Sequence, residues 1–98
     1  MNAHYQAELR VESAHPALAG HFPGNPVVPG VVLLERVAAA LKTWRGARVD
    51  GFDAKFLHPL LPNQQAVIEL REDGGNVRFS VTRADGMALA RGVLEVLP

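Results

Sequence analysis

An α+β fold, with an antiparallel β-sheet wrapped around one helix, is predicted by three features of this 98-residue chain. Apolar and polar residues alternate with period two over residues 4–12 and again over 77–83, the pattern of half-buried strands. Two turn signals of hairpin type, Asp73-Gly74-Gly75-Asn76 and Asp85-Gly86, separate the later runs. One run only, residues 30–44, is apolar on nearly every helical face. A helix of that kind is a core helix that the rest of the chain must enclose.

Taken in order, residues 4–12 place Tyr5, Ala7, Leu9 and Val11 on one side of a strand and His4, Gln6, Glu8, Arg10 and Glu12 on the other. Residues 13–29 are a loop, because Pro16, Pro23, Pro26 and Pro29 with Gly20 and Gly24 exclude a helix and a central strand. So long a connection in so small a domain is more often functional than idle. The helix over 30–44 begins with Gly30 behind Pro29, and Gly46 lies just past its end. Its β-branched start, Val31-Val32, forms helix poorly, so burial must supply the stability. Strands follow over 48–58, with a weak point at Gly51, and over 65–72, 77–83 and 87–97; Pro59 and Pro62 bound a turn. The four strands after the helix read as a meander. The free edges of such a sheet invite pairing across a two-fold axis.

The bulk numbers bound the function. The length allows one domain, residues 1–98, near the lower limit for burying a core alone, which favours a dimer. The 48% hydrophobic and 20% charged residues are those of a soluble globular protein. Ten basic and ten acidic side chains cancel, which argues against a broad grip on nucleic acid. The absence of cysteine excludes disulfides, thiol catalysis and Cys-based metal sites, and fits a reducing cytoplasm. The first residues carry no apolar signal region, and no stretch approaches the roughly 20 apolar residues of a membrane span.

The chemistry concentrates in His21-Phe22-Pro23-Gly24-Asn25-Pro26-Val27-Val28-Pro29-Gly30 and the helix behind it. No Asp, Glu, Lys or Arg occurs from Ser13 to Leu34; Glu35 is the first charge after that stretch and falls on a segment expected to be buried. Burying a carboxylate is costly unless it has a partner or a task. A His and a Glu meeting in a dry site form a general acid/base pair, and desolvation would favour the proton-carrying form of Glu35 that an acid requires. The N–H groups at a helix start suit a developing oxyanion, and glycine at position 30 admits a ligand close to the backbone.

His21-Phe22-Pro23-Gly24, Pro26 and Pro29-Gly30-Val31, with Glu35 falling 14 residues after the histidine, resemble the signature of the hot-dog 3-hydroxyacyl-acyl-carrier-protein dehydratases of fatty acid synthesis. Lys55-Phe56, Pro59, Leu61 and Pro62 extend the resemblance, which covers the chain roughly from residue 15 to its end. It implies a hot-dog fold, a homodimer or dimer-based higher oligomer (a heterodimer being possible), substrates carried on acyl-carrier protein, and no cofactor or metal. It makes His21 the base that takes the α-proton of a 3-hydroxyacyl thioester and Glu35 the acid that protonates the departing hydroxyl. It makes the Gly30 N–H the donor to the thioester carbonyl, with Phe22 and Val31 beside Gly30 in contact with substrate, and it draws the His and the acid of one site from different subunits. There are departures. Many relatives have Gln one turn after the acid, where this chain has Ala39, and typical relatives carry more structure before the first strand. Both traits look more like the compact dehydratases of secondary pathways, such as aryl-polyene synthesis.

Two rivals share the fold: a thioesterase, in which a carboxylate activates water, and a non-catalytic acyl-binding subunit of a heterodimer. The other polar residues have plain readings. His4, His15 and His58 are at no metal-ligand spacing, Asp50 and Asp53 form a solvated strand face, and Trp44 belongs to the core or an interface. Arg71, Arg78, Arg83 and Arg91 point outward from the late strands, where a basic rim would suit an acidic carrier protein or its phosphate.

Overall fold

The computed structural model describes residues 3–18 and 27–97. Its elements are β1 (His4–Leu9), a 3-10 turn (Pro16–Leu18), α1 (Gly30–Arg45), β2 (Val49–Phe56), β3 (Ala66–Asp73), β4 (Asn76–Arg83) and β5 (Ala88–Val96). The strands form one antiparallel sheet in the order β1-β3-β4-β5-β2, and α1 lies across its inner face. This is the hot-dog arrangement of one helix against one sheet.

Local signals decide the element ends. Gly46 closes α1 in the left-handed region, at φ 64°, and its N–H donates to the Lys42 carbonyl at 2.8 Å. Only glycine takes that cap without strain. Lys42 and Arg45 in the last turn complement the helix dipole. Gly74 and Gly75 make the two-residue turn between β3 and β4, where Asp73 faces Asn76. The weak point expected at Gly51 is a register shift in the β2–β5 ladder between Val49 and Gly51.

The expected four-strand meander holds only for β3, β4 and β5. β2 does not pair with β3; it pairs with β5 at the far edge. Pro59 and Pro62 do not fit a hairpin ladder, and the chain instead crosses through residues 57–65 from the β2 edge of the sheet to β3, beside the opposite edge strand β1. That crossing is tied down along its length. Leu57 N–H donates to the Leu89 carbonyl (2.8 Å), Val28 N–H to the Leu60 carbonyl (2.8 Å) and Asn63 N–H to the Val11 carbonyl (2.8 Å), while Leu60 is fully buried. Strand β1 is also shorter than expected, ending at Leu9, although Val11 beyond it is buried.

The core forms where Val32, Leu33, Val37, Ala40 and Leu41 of α1 meet Ile68, Leu70, Phe79, Val81 and Leu94 of the sheet. Each large apolar side chain buried there contributes about 1.5–3 kcal/mol. The opposite face of α1 is open: Val31, Glu35 and Ala39, at successive i, i+4 positions, are exposed. The helix predicted to be enclosed on all sides is therefore covered on one side only, because one sheet of five strands reaches one side. Trp44, at the rim, stacks on Tyr5 with centroids 5.9 Å apart, and the Arg45 guanidinium sits 4.0 Å over its ring.

Candidate active site

The N-terminus of α1 is the focus of the site. Pro29 is its N-cap, in extended conformation at ψ 145°, and supplies no side-chain cap. Its carbonyl accepts from Val32 N–H at 3.0 Å and from Leu33 N–H at 3.4 Å. Among the described residues, the N–H groups of Gly30 and Val31 have no acceptor. They are free donors at the positive end of the helix dipole. Glu35 follows Gly30 by five residues, about 7.5 Å of helical rise, and shares its face with Val31, which is 61% exposed.

Glu35 was expected to be buried, and in the single chain it is exposed. The physical reason is the one-sided cover of α1. The stripe formed by Val31, Glu35 and Ala39 faces away from the sheet, so the sheet does not desolvate the carboxylate, and a second body laid on that face would. The Arg36 side chain, next to it, turns elsewhere and donates from Nη1 to the Arg10 carbonyl at 3.2 Å. His21 and Phe22 lie outside the described residues.

Gly30 has a neighbour that the sequence reading did not assign. The Phe56 ring lies against its Cα, and a Cβ at position 30 would stand 2.8 Å from Phe56 Cζ. Glycine at position 30 thus admits an aromatic ring from β2 beside the free N–H groups. Phe52 and Phe56, 39% and 49% exposed, occupy the sheet face that also carries Leu94 and Ala90 and belong to the edge strand β2. Phe56 and Val31 form an apolar border at the helix start, and Phe52 continues the exposed apolar surface along β2. The signal was present in the sequence as Lys55-Phe56, but nothing local says that this ring reaches Gly30.

The remaining polar residues are accounted for more simply. His4 Nε2 pairs with Glu69 at 3.1 Å, and His58 Nδ1 lies 3.0 Å from the Ala88 carbonyl. Asp50 and Asp53 are exposed. Among the described residues no His, Cys, Asp and Glu cluster could hold a metal ion, and no helix is long and apolar enough to cross a membrane. Arg83 and Asp85 form a bidentate pair across the β4–β5 turn, at 2.9 and 2.6 Å. The hydrogen bond from Arg83, with a second from Met87 N–H, holds the Asp85 carboxyl down at about 2 against an ordinary 3.8.

A single helix laid across one antiparallel sheet in this strand order defines a hot-dog protein. Residues 1–93 match the family model described as ApeI-like, ApeI dehydratase, and the chain belongs to that family. It is 34% identical to the 3-hydroxyacyl-acyl-carrier-protein dehydratase FabZ of Proteus mirabilis over 99 residues, covering 83% of this chain and 65% of that protein. The chain thus spans about two thirds of the length of that relative. Its fold matches the dehydratase heterocomplex ApeI:P from Xenorhabdus doucetiae with a TM-score of 0.85 at 20% identity, over 98% of this chain and 88% of that one. An uncharacterized protein from Erwinia carotovora subsp. atroseptica matches with a TM-score of 0.80 at 25% identity, over 100% of this chain and 87% of that one.

Proposed function

We propose that this protein is a dehydratase that converts 3-hydroxyacyl thioesters, carried on acyl-carrier protein, to trans-2-enoyl thioesters. His21 takes the α-proton, and the electron pair of that C–H bond becomes the new C=C bond. The C–O bond at the β-carbon breaks, and Glu35 gives its proton to the departing hydroxyl, which leaves as water. Negative charge that gathers on the thioester oxygen during proton removal is met by the N–H of Gly30 at the helix start. Phe22 and Val31 contact the acyl group, and Phe56, whose ring lies against Gly30, borders the same helix start. The steps need no metal or cofactor.

One observation carries this reading: the carboxylate of Glu35 and the free N–H groups of Gly30 and Val31 lie within a turn and a half of one helix, on an element whose other face is core. The membership in the ApeI-like family and the likeness to FabZ support the same chemistry. The exposed stripe of α1 and the free edge of β2 support a dimer, since a partner there would cover Val31, Phe52 and Phe56 and desolvate Glu35. The related structure from Xenorhabdus doucetiae is a dehydratase heterocomplex, so that partner is either a second copy or a different subunit. A chain without cysteine suits the reducing cytoplasm, where acyl-carrier protein is loaded.

Product analysis separates this reading from its rivals. Enoyl absorbance and free thiol are followed together as the purified protein acts on 3-hydroxyacyl thioesters of several acyl types. Enoyl product without thiol release is expected. Thiol release without enoyl product would make the protein a thioesterase, and a folded oligomer inert on every carrier-linked substrate would make it an acyl-binding subunit.

A further inference from the structure

We infer that the outer face of the sheet carries a second site, independent of the dehydratase site, which binds a small molecule with two adjacent phosphoryl groups through Arg71, Arg78, Arg91 and Lys55. A groove of about 550 Å³ lies on this face, opposite α1. All five strands contribute to it, and two of its cross-strand pairs are like-charged. Arg71 stands directly opposite Arg78 across β3 and β4, and Lys55 opposite Arg91 across β2 and β5. Like charges directly opposite each other weaken a sheet, and two such pairs side by side on one face need a compensating anion.

The chain supplies only part of that compensation. Asp73 pairs with Arg78 at 2.9 Å, and Glu69, one of two acids that line the groove, is engaged by His4 at 3.1 Å. Arg71, Arg91 and Lys55 have no ion-pair or hydrogen-bond partner among the described residues, and Asp53, the second acid lining the groove, bonds to none of them. Within each pair the strands stand about 4.8 Å apart, and Arg78 and Arg91 are diagonal neighbours on β4 and β5, about 7–8 Å apart. Ser80 lies between Glu69 and Arg91 in the same cross-strand row and offers a hydroxyl donor. Planar guanidinium forks match phosphoryl oxygens two at a time.

The occupant is a small molecule on grounds of size and charge. The groove falls within the range of small-ligand clefts, about 300–1,000 Å³. An extended polyanion such as a nucleic acid would also meet Glu69 and Asp53, on a chain whose net charge is zero.

The test is titration of the intact protein with inorganic pyrophosphate and, separately, with ADP, at constant ionic strength, by calorimetry and by amide chemical shifts. Saturable binding is expected, with shifts confined to β2–β5 on the outer face. Arg71→Ala and Arg91→Ala should each weaken it by about tenfold or more, and Arg48→Ala, exposed and elsewhere, should not. Both variants relieve like-charge contacts at exposed positions, so the fold should survive, and far-UV circular dichroism checks that it does. Saturation by either probe supports the site, and the tighter one says whether a nucleoside accompanies the phosphates. No saturable binding, equal displacement by sulfate at matched ionic strength, or indifference to both arginine variants would overturn it. Binding of an acidic peptide on this face while both phosphate probes fail would overturn it in favour of a protein-docking surface.

Discussion

Glu35 shows how far a single side chain can be read in isolation. Its charge stands out because the 22 residues before it carry none, and that contrast was legible in the sequence. Its burial was not, since burial depends on what covers the helix. Gly30 shows the converse. Its place behind Pro29 was legible, but the ring of Phe56 against it comes from a strand far along the chain. Gly30→Ala should force that half-exposed ring outward at a cost of about 1 kcal/mol, the low end for overpacking. Trimming the ring with Phe56→Leu should recover most of the loss in denaturant unfolding. Asp85 gives a residue-scale prediction in pH. Its folded value, about 2, lies below the ordinary 3.8. Its contribution is therefore fully present above the unfolded value and is lost as pH falls through the folded one. Unfolding of wild type and Asp85→Asn, compared by urea, should differ by a constant small amount at neutral pH, and the difference should shrink between about pH 4 and pH 2.

At the scale of elements, what was legible is what local chemistry decides. Gly46 ended the helix and Gly74 turned the hairpin through backbone freedom that no neighbour needed to reveal, and Gly51 marked the ladder irregularity. The partner of β2 was not legible, because strand pairing is a long-range choice, and the shortest guess, pairing with the next strand, was wrong. The β2–β5 ladder has its own sharp requirement. A Cβ at Gly92 would run into the backbone carbonyl of Asp53 and also close on Ala54 Cα at 2.9 Å. Backbone cannot swing aside as the Phe56 ring can. Gly92→Ala should thus cost about 3 kcal/mol or more, well above Gly30→Ala, with loss of amide protection concentrated in β2 and β5. The contrast between the two alanines is itself the check: equal costs would mean that β2 is not held against β5 at this register.

For the whole molecule, the open face of α1 and the free edge of β2 carry Val31, Phe52 and Phe56 at 61%, 39% and 49% exposure. Hydrophobic side chains grouped at an open edge mark an interface. Sedimentation should give a dimer or a multiple of it, and Phe52→Lys should shift the population toward monomer with loss of activity. If His21 and Glu35 of one site belong to different subunits, co-refolding of inactive His21→Ala and Glu35→Ala chains should restore about a quarter of the sites, since half the dimers are mixed and each has one intact site. A mixture that forms dimers yet stays inactive would place both residues of a site on one chain.

The central claim is that His21 and Glu35 together remove water from a 3-hydroxyacyl thioester. The most direct measurement is the rate of enoyl absorbance from a carrier-linked 3-hydroxyacyl substrate for wild type, His21→Ala and Glu35→Gln, all shown to be folded and equally oligomeric. Turnover by wild type with a fall of a hundredfold or more in each variant, in the range expected for loss of a general acid or base, is the predicted result. Enoyl formation that persists undiminished in either variant would contradict the account.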